Sequence, residues 1–295
     1  MSTVYVLGSL NMDTTYYVSR IPGSGVTLAS SHCESAPGGK GLNQAVAVSW
    51  TGVKTDLIGS VGDDANGAAM EKVLSGYPID CSRLMRVGAP TGSAVILVND
   101  RGENCIVVNG GANRQVPVRD TDFRPGDYLV AQLETNIDAV TAYFSMAKAR
   151  GAYTVLNLSP SQPVPEELLA DTDLLIVNEH EAGAITGRDI RSAEDAFGCA
   201  SQLSTMGISR TLVTLGENGV VVLDGDSRSH IPGEKVTARD TQGAGDAFLG
   251  VAVGSLASGM SLCEAARRAN HVAALCVQVE GSTLISLRAI GKDEQ

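Results

Sequence analysis

The stretch YLVAQLETNIDAVTAYFSMAKARGAYTVLNL, Tyr128–Leu158, holds a short apolar run, an amphipathic segment and a second apolar run. Tyr128–Leu133 and Thr154–Leu158 have the length and composition of strands, and the spacing of apolar residues over Ile137–Arg150 predicts a helix. Strands that alternate with helices in this way form a mostly parallel sheet that is covered on both faces. The stretch therefore predicts an α/β fold.

The same alternation continues on both sides of this stretch. No linker, low-complexity tract or internal repeat interrupts it, so residues 1–295 are predicted to form a single domain. The other predicted strands are Val4–Leu10, Asp56–Ser60, Leu174–Val177 and Thr211–Leu215, and the other predicted helices are Gly41–Thr51, Asn66–Ser75, Glu179–Thr186, Ala193–Met206, Ala247–Ala257 and Leu262–Val279.

Two regions, Thr14–Ile21 and Thr91–Asn109, have strand character with no helix between their strands. In the second region the polar turn Asn99–Asn104 separates two β-branched runs and predicts a hairpin. These strands are expected to form a small sheet beside the main domain, inserted at about 14–36 and 90–110. Exposed strand edges can pair between subunits, so a homodimer through these strands is left open.

The composition excludes several classes of protein. A net charge of −11 and a pI of about 4.8 come with no basic stripe that would neutralise nucleic-acid phosphates. Six scattered cysteines and four dispersed histidines lack metal-ligand spacing, which predicts buried free thiols. No apolar run reaches the ~18 residues of a membrane span, and the N-terminus lacks a signal-peptide pattern. These features predict a cytoplasmic protein without nucleic-acid or membrane partners.

The string Asp240-Thr-Gln-Gly-Ala-Gly-Asp246, which precedes an apolar helix, carries the strongest functional signal. The small residues Gly243, Ala244 and Gly245 let several backbone N–H groups converge on an anion, and the helix N-terminus adds partial positive charge. Asp246, in the first helical turn, is placed to accept a proton from an attacking hydroxyl group. The alternative is an aspartate N-cap after a glycine turn, which the complete string disfavours.

Two further strings place polar groups near predicted strand ends. In Gly38-Gly-Lys-Gly-Leu-Asn-Gln-Ala45, glycines lead into a helix with Asn43 in its first turn, although a helix-entry loop with a capping asparagine is equally compatible. In the string Gly8-Ser-Leu-Asn-Met-Asp13, Asn11 and Asp13 have strand spacing, so they face the same way and can bind vicinal hydroxyl groups, although an Asx turn is the alternative. Neither string is a Walker A loop, and the lack of Gly-x-Gly-x-x-Gly after the first strand disfavours a dinucleotide-dependent oxidoreductase.

Taken in this order, the three strings resemble those of the ribokinase-like carbohydrate kinases, the PfkB family, from Val4 to about Gly281. The resemblance implies a three-layer α/β/α domain with a mostly parallel central sheet and a small β-sheet lid. It implies transfer of the ATP γ-phosphate, with Mg²⁺, to a sugar hydroxymethyl oxygen, with Asp246 as catalytic base. It also implies an anion hole at Gly243, Ala244 and Gly245, and a sugar site at Asn11, Asp13, Gly39, Lys40, Gly41, Asn43 and Glu134.

The resemblance also implies nucleotide and cation sites. The implied ATP-binding residues are Asn178, Thr214, Gly216, Gly219, Gly245 and Asn270, with Glu181 acting indirectly on Mg²⁺. The implied site for a monovalent cation such as K⁺ consists of Asp240, Gln242, Cys276, Val279 and Gly281. The chain departs from the family pattern over Gly281–Ser286, and Asn270 stands where a histidine is common. If the family resemblance is set aside, Asn178 is interpreted as a helix-capping residue and Gly216–Gly219 as a hairpin turn.

Glu134 is the most informative residue for the substrate, because a carboxylate repels a sugar that already carries a phosphate. Such a sugar needs a basic cluster, and Lys40 is the one basic residue placed in the site, with Arg83, Arg86 and Arg101 in or near the lid. A free sugar is favoured, with ribose first and with deoxyribose, fructose or another ketose, and a nucleoside left open. The alternative of another class is a non-catalytic sugar-binding regulator, which the intact Asp-Thr-Gln-Gly-Ala-Gly-Asp string disfavours.

Overall fold

The computed structural model describes residues 2–279 and contains two sheets. Gly281, one of the candidate cation-binding residues, lies outside the described residues. The strands are β1 (Thr3–Leu7), β2 (Asn11–Val18), β3 (His32–Gly38), β4 (Lys54–Gly62), β5 (Ile79–Asp80), β6 (Leu84–Val87), β7 (Gly92–Asn99), β8 (Asn104–Asn109), β9 (Tyr128–Ala131), β10 (Tyr153–Asn157), β11 (Leu174–Asn178), β12 (Arg210–Thr214), β13 (Val220–Asp224) and β14 (Ser227–Ile231). The helices are α1 (Lys40–Trp50), α2 (Ala65–Leu74), α3 (Ile137–Ala149), α4 (Glu166–Ala170), α5 (Glu179–Thr186), α6 (Ala193–Thr205), α7 (Ala244–Ala257) and α8 (Leu262–Cys276).

The large sheet is mostly parallel, as predicted. It has ten strands in the order β14-β13-β12-β11-β10-β9-β1-β4-β5, and β6 also pairs with β4. All neighbouring strands from β12 to β5 run parallel, whereas β13 and β14 add an antiparallel end. The carboxyl ends of the parallel strands therefore meet along one edge, where ligands bind in sheets of this kind.

Alternate residues of the large sheet pack against two different layers of helices. On β1, Val4 and Val6 belong to the core formed with α1, α2, α7 and α8. Tyr5 and Leu7 belong to the core formed with α3, α4, α5 and α6. Because successive side chains of a strand point to opposite faces, an uninterrupted apolar strand requires cover on both sides. The three-layer α/β/α arrangement is confirmed.

A second sheet of four strands, in the order β3-β2-β7-β8, is called the small sheet below. Strand β2 pairs in parallel with β7, while β3 and β8 pair antiparallel at the two edges. The two regions that lacked helices therefore meet in one sheet, and the predicted hairpin connects β7 to β8. Strand β3 was not predicted, because His32–Gly38 is largely exposed and shows no alternation of apolar residues.

The predicted strand Val4–Leu10 includes three residues, Gly8–Leu10, that belong to neither sheet. Strand β1 ends at Leu7 and β2 begins at Asn11, so the intervening residues link the sheets. A Cβ atom at Gly8 would clash with the side chain of Gln132, so this link packs tightly against the large sheet. The apolar sequence does not reveal that packing, which is why the strand was predicted too long.

Several elements of the described chain were not predicted. Strands β5, β6 and β14 are short or partly exposed, so they lack a clear period. Strand β13 is a buried apolar run of five residues, which periodicity alone does not distinguish from part of a helix. Helix α4 has five residues and is also too short to show a period. No helix in the described part is both long and apolar enough to cross a membrane.

All six cysteines are free, as predicted, but they are not all buried. Cys199 and Cys276 are buried, whereas Cys33 and Cys105 are exposed. The exposed pair lies on β3 and β8, the two edge strands of the small sheet. The prediction of buried thiols is therefore wrong for these two residues.

Candidate active site

Asp246 lies in the first turn of α7, where two side-chain amides hold its carboxylate. Asn43 Nδ2 donates to Oδ2 over 3.0 Å, and Gln44 Nε2 donates to Oδ1 over 2.9 Å. The N-cap of α7 is Gly243, with φ of 74°, and Asp246 itself is only 8 % exposed. Asp246 is therefore not the N-cap, and that alternative is wrong. A buried carboxylate with both oxygen atoms bound has a defined orientation, as a general base requires.

The glycines of the string Gly38–Ala45 let α1 begin in direct contact with Gly8–Leu10, the link between the two sheets. Gly39 is the N-cap of α1 and has φ of 94°, in the left-handed region that favours glycine. A Cβ atom at Gly41 would lie 2.5 Å from the backbone nitrogen of Ser9. This close approach brings Lys40 and Asn43 into the site, and Asn43 reaches across to α7 instead of capping its own helix.

Glu134 lies just past β9 and is anchored from two other segments. The Ser9 hydroxyl donates to Glu134 Oε2 over 2.5 Å, and the backbone N–H of Lys40 donates to the same oxygen over 3.3 Å. The link between the sheets, the start of α1 and the end of β9 therefore meet at one carboxylate. This geometry gathers the predicted sugar-binding residues from three distant parts of the chain.

Asn11 is held from behind by Asn113. Asn113 Nδ2 donates to Asn11 Oδ1 over 2.8 Å, while Asn113 Oδ1 accepts from the backbone N–H of Leu10 over 2.9 Å. Both asparagines are buried. Because Oδ1 of Asn11 is the acceptor in this pair, its NH₂ group is directed toward other acceptors.

Asp13 lies two residues further along β2, on the same face as Asn11. Burial, with a contribution from the charge of Glu134, raises the pKa of Asp13 to about 7. Among residues 2–279, its buried Oδ1 atom has no hydrogen-bond partner. A buried polar atom without a partner costs free energy, which a hydroxyl group donated by a ligand would recover. Asp13 is thus a candidate ligand for a polyhydroxylated molecule.

Lys40 supplies positive charge between these acids. The nearby carboxylate of Asp246 raises the pKa of Lys40, and Glu134 and Glu181 add to this effect against the opposing influence of burial. Lys40 is therefore charged, and its ammonium group can neutralise negative charge that develops on a transferred group.

A cavity of about 230 Å³ opens at the N-terminus of α7, beyond the carboxyl ends of β10, β11 and β12. A Cβ atom at Gly245 would meet no other atom within 4 Å, so the space beside this helix end is open. The groups that line the cavity include Lys40, Asn157, Asn178, Glu181, Thr214, Gly243, Gly245 and Asp246. The predicted base, anion hole and part of the predicted nucleotide site therefore share one cavity.

Asn178 and Glu181 form a capping box at the start of α5. Asn178 Oδ1 accepts from the Glu181 N–H over 2.8 Å, and Glu181 Oε2 accepts from the Asn178 N–H over 3.0 Å. The helix-cap interpretation of Asn178 is correct, yet Glu181 is buried in the cavity wall instead of solvated. In residues 2–279 no group of three or more His, Cys, Asp or Glu side chains could hold a metal. One carboxylate suits Mg²⁺, which keeps several waters and binds to substrate phosphates.

The remaining ATP-binding candidates lie to one side of this cavity. The segment Gly216–Asn218 is a short 3₁₀ turn, and Gly219, with φ of 88°, leads into β13, so the string is also a hairpin connection. Asn270 on α8 donates to the backbone oxygen of Pro232 over 3.1 Å. Asn218 and Pro232 line a second cavity of about 500 Å³. The ATP-binding role of Gly216, Gly219 and Asn270 stays a prediction.

The candidate cation-binding residues lie where the loop before α7 meets the end of α8. The backbone N–H groups of Arg239 and Asp240 donate to the backbone oxygen of Val277 over 2.7 and 3.2 Å. Asp240 Oδ1 accepts from the backbone N–H of Gln242 over 2.9 Å. The Asp240 loop is thus adjacent to the segment that holds Cys276 and Val279, and its role in cation binding stays a prediction.

The three arginines considered for a sugar phosphate contact carboxylates elsewhere. Arg83 and Arg86 lie at or beside β6 in the large sheet, and Arg101 lies in the hairpin of the small sheet. Their ion pairs are Arg83 with Asp56, Arg86 with Asp63 and Glu71, and Arg101 with Glu103. None of these contacts directs an arginine toward Glu134.

Four polar residues of the site, Ser9, Gln44, Asn113 and Gln132, were not predicted. All four are buried, and each makes side-chain hydrogen bonds. Buried polar groups are nearly always hydrogen-bonded. Gln44 and Gln132 stand in otherwise apolar runs, and that conflict was the signal available in the sequence.

Comparison with known proteins gives a consistent result. The pfkB family carbohydrate kinase profile matches residues 1–289. The ribokinase of Staphylococcus aureus is 35 % identical over 287 residues, and that of Haemophilus influenzae is 36 % identical over 286 residues; each match covers 95 % of this chain and 94 % of the relative. The structure of Arabidopsis thaliana ribokinase complexed with ribose and ATP matches with a TM-score of 0.89 and 28 % identity, covering 99 % of this chain and 98 % of that one.

Proposed function

Because this chain belongs to the pfkB family of carbohydrate kinases, as a sugar kinase of the ribokinase type, we propose that it transfers the ATP γ-phosphate to the hydroxymethyl oxygen of free ribose. The observation that carries the proposal is the meeting of Asp13, Glu134 and Lys40 next to Asp246. Carboxylate groups accept hydrogen bonds from sugar hydroxyls, and the amide of Asn11 can donate to them.

Asp246 is placed to act as the base in this transfer. As the hydroxymethyl oxygen bonds to the γ-phosphorus, its proton passes to the carboxylate. The bond from phosphorus to the bridging oxygen breaks, and its electron pair leaves with ADP. The transition state is loose, so the hydroxyl group loses its proton late, and a well-placed carboxylate can accept it without being a strong base.

The groups around Asp246 would stabilise the transferring phosphoryl group. The N-terminus of α7 would direct its partial positive charge at the phosphoryl group, with the backbone of Gly245 lining the cavity, and the ammonium group of Lys40 adds a full positive charge. Glu181 would hold Mg²⁺ through water, and the bound ion would neutralise charge on the ATP phosphates. The cytoplasm, where ATP is available, is the compartment that we propose for this activity.

The acidity of the sugar site favours a free sugar over a phosphorylated one. Asp13 and Glu134 are close enough for the charge of Glu134 to raise the pKa of Asp13, so a sugar phosphate would add a third negative group. Lys40 is already balanced by Asp246, Glu134 and Glu181. The three arginines considered for a sugar phosphate form ion pairs with other carboxylates.

The test is ADP release by the purified protein with ATP and Mg²⁺ across ribose, 2-deoxyribose, fructose, adenosine and fructose 6-phosphate. Ribose should give the highest kcat/KM, and fructose 6-phosphate should be at least ~10-fold worse, because one uncompensated charge costs more than ~1.4 kcal/mol. Sugar binding by calorimetry without ADP release would instead identify a non-catalytic regulator. A clear preference for another sugar would refute ribose while retaining the kinase.

We also propose that K⁺ binds between the Asp240 loop and the end of α8. The support is the contact of both segments through the backbone oxygen of Val277, which brings the Asp240 loop next to the segment that holds Cys276 and Val279. An ion there would stabilise the loop that leads into the anion hole. The ADP-release assay in KCl and in NaCl at equal ionic strength tests this role, and equal rates would contradict it.

The small sheet is proposed to act as a lid over the sugar. Asn11 and Asp13 belong to β2, so a sugar bound to them is bound directly to this sheet. Closure would exclude water and suppress ATP hydrolysis. We expect saturating ribose to slow amide hydrogen exchange in β2 and β7 and to leave exchange in α6 unchanged. Unaltered exchange in both strands would refute the lid.

Strand β8, one of the two edge strands of the small sheet, is proposed to pair with a second copy of this chain. Every residue of β8 is exposed, including Ile106, Val107 and Val108 at 50, 66 and 55 %. A long apolar edge strand is rare in a monomer because it invites pairing. We expect sedimentation equilibrium to show a dimer that Val107→Lys dissociates, whereas Val118→Lys, at an exposed site outside this sheet, does not. A monomeric wild-type protein would contradict the proposal.

A further inference from the structure

Two buried glutamines form a chain of amides behind Asp246. Gln132 Nε2 donates to Gln44 Oε1 over 2.5 Å, and Gln44 Nε2 donates to Asp246 Oδ1 over 2.9 Å and to Asn157 Oδ1 over 3.2 Å. Both glutamines have 0 % exposure. Among residues 2–279 the buried Oε1 atom of Gln132 has no hydrogen-bond partner, which costs free energy. The chain of amides is therefore retained at a cost, and it calls for a specific role.

The contacts determine which way the Gln44 amide points. An amide group has an NH₂ donor and an oxygen acceptor. The NH₂ group of Gln44 faces oxygen atoms of Asp246 and Asn157, and its oxygen faces a donor from Gln132. The reverse orientation would place the amide oxygen against a carboxylate. Gln44 therefore presents a donor to Asp246 as long as Gln132 occupies its acceptor.

The two oxygen atoms of Asp246 have different environments. Oδ1 is bound by Gln44, which is fully buried and touches no solvent. Oδ2 is bound by Asn43, which is only part-buried and is a candidate sugar-binding residue. The Oδ1 side is covered by the buried amide chain, so the Oδ2 side, next to the part-buried Asn43, is the candidate approach for an incoming hydroxyl group.

We propose that Gln44, supported by Gln132, is a positioning residue that anchors Oδ1 of Asp246 and leaves Oδ2 to receive the substrate proton. The inference rests on the proposed role of Asp246 as the base. Without Gln44 the carboxylate can rotate, and a displacement of ~1 Å in a catalytic group can cost ~10²-fold in rate. A carboxylate that loses a hydrogen-bond donor also holds its proton more tightly.

The test compares Gln44→Met and Gln132→Met, which retain side-chain length and remove the amides. Gln44→Met should lower kcat by ~10–100-fold, leave the KM values for ribose and ATP within ~3-fold, and move the acid limb of the kcat–pH profile upward by ~1 unit. Gln132→Met should lower kcat by a smaller factor, ~3–10-fold, because it removes only the side chain that supports Gln44. If Gln44→Met does not fold, the isosteric Gln44→Glu replaces donors with an acceptor and should shift the acid limb further.

Ser49→Ala on the same helix is the matched control. Ser49 is buried, and in the described part of the chain its hydroxyl donates to the backbone oxygen of Val46 within α1, so its loss should leave kcat and the pH profile unchanged. Wild-type kcat and acid limb in folded Gln44→Met would overturn the proposal, and so would a loss of kcat with no shift of the acid limb. Normal turnover by Asp246→Asn would instead show that the base itself was wrongly assigned.

Discussion

Asp246→Asn is expected to lower kcat for ribose phosphorylation by ~10²–10⁴-fold, the range for removal of a positioned acid or base. Asparagine has nearly the same shape and retains one oxygen acceptor, but it cannot take the hydroxyl proton. The affinity for ATP should stay within ~3-fold, because the backbone N–H groups at the start of α7 are unchanged. Single-turnover rates and nucleotide titrations would measure the two effects separately.

The control for this change is Asp138→Asn, at an exposed aspartate in the first turn of α3. It removes the same charge from an equivalent position in another helix, so any general effect of losing a helix-terminal acid appears there too. Near-normal turnover by folded Asp246→Asn would show that this carboxylate is structural and would defeat the proposed mechanism.

Gly245→Val separates the anion hole from the base. Apart from its chain neighbours and the backbone of α7 itself, a Cβ atom at this position meets no atom of residues 2–279 within 4 Å, so the side chain should be accommodated in the unliganded fold. It would instead occupy the space beside the helix N-terminus that the phosphates need. We expect loss of both ATP affinity and rate with little change in Tm, in contrast to Asp246→Asn, where affinity is retained.

Asp13→Ala is expected to weaken ribose binding by ~2–3 kcal/mol, or ~30–150-fold in Kd, since removal of a charged partner leaves sugar hydroxyls unpaired. ATP binding should be unchanged, because Asp13 does not line the cavity at α7. Thr14→Ala is the matched control: Thr14 lies on the face of β2 opposite to Asp13, and its hydroxyl bonds to the Ser35 hydroxyl on β3. Equal losses for ribose and ATP in Asp13→Ala would indicate damage to the fold.

The raised pKa of Asp13 gives this prediction a pH dependence. The pKa of Asp13 in the folded protein, about 7, exceeds the ordinary value of 3.8. The contribution of Asp13 to stability is therefore complete below pH 3.8 and is lost progressively as pH rises through 7. Ionised Asp13 therefore destabilises the unliganded protein at pH 8. Asp13→Asn should raise Tm by ~2 °C or more at pH 8 and by a smaller amount at pH 5, where only part of the stabilising contribution has been lost. An equal Tm change at both values would contradict the raised pKa.

Local patterns in the chain were sufficient for the main architecture. The alternation over Tyr128–Leu158 predicts β9, α3 and β10, and their observed bounds differ from the predicted ones by at most two residues. The spacing of apolar residues predicts which faces of a helix or strand are buried, and this prediction does not require knowledge of the elements that pack against it. The strand spacing of Asn11 and Asp13 likewise placed both side chains on one face.

Only the tertiary structure decided which polar groups meet. Gln44 and Asp246 are 202 residues apart, and Gln132 lies 88 residues from Gln44, so no local spacing relates them. The pKa of Asp13 depends in the same way on burial and on Glu134, which come together only when the small sheet docks at the start of α1. Apolar burial needs only a covered face, whereas a hydrogen bond needs one particular partner at one distance and angle. The sequence pattern therefore predicts which faces are covered, whereas the hydrogen-bond partners are determined only in the folded chain.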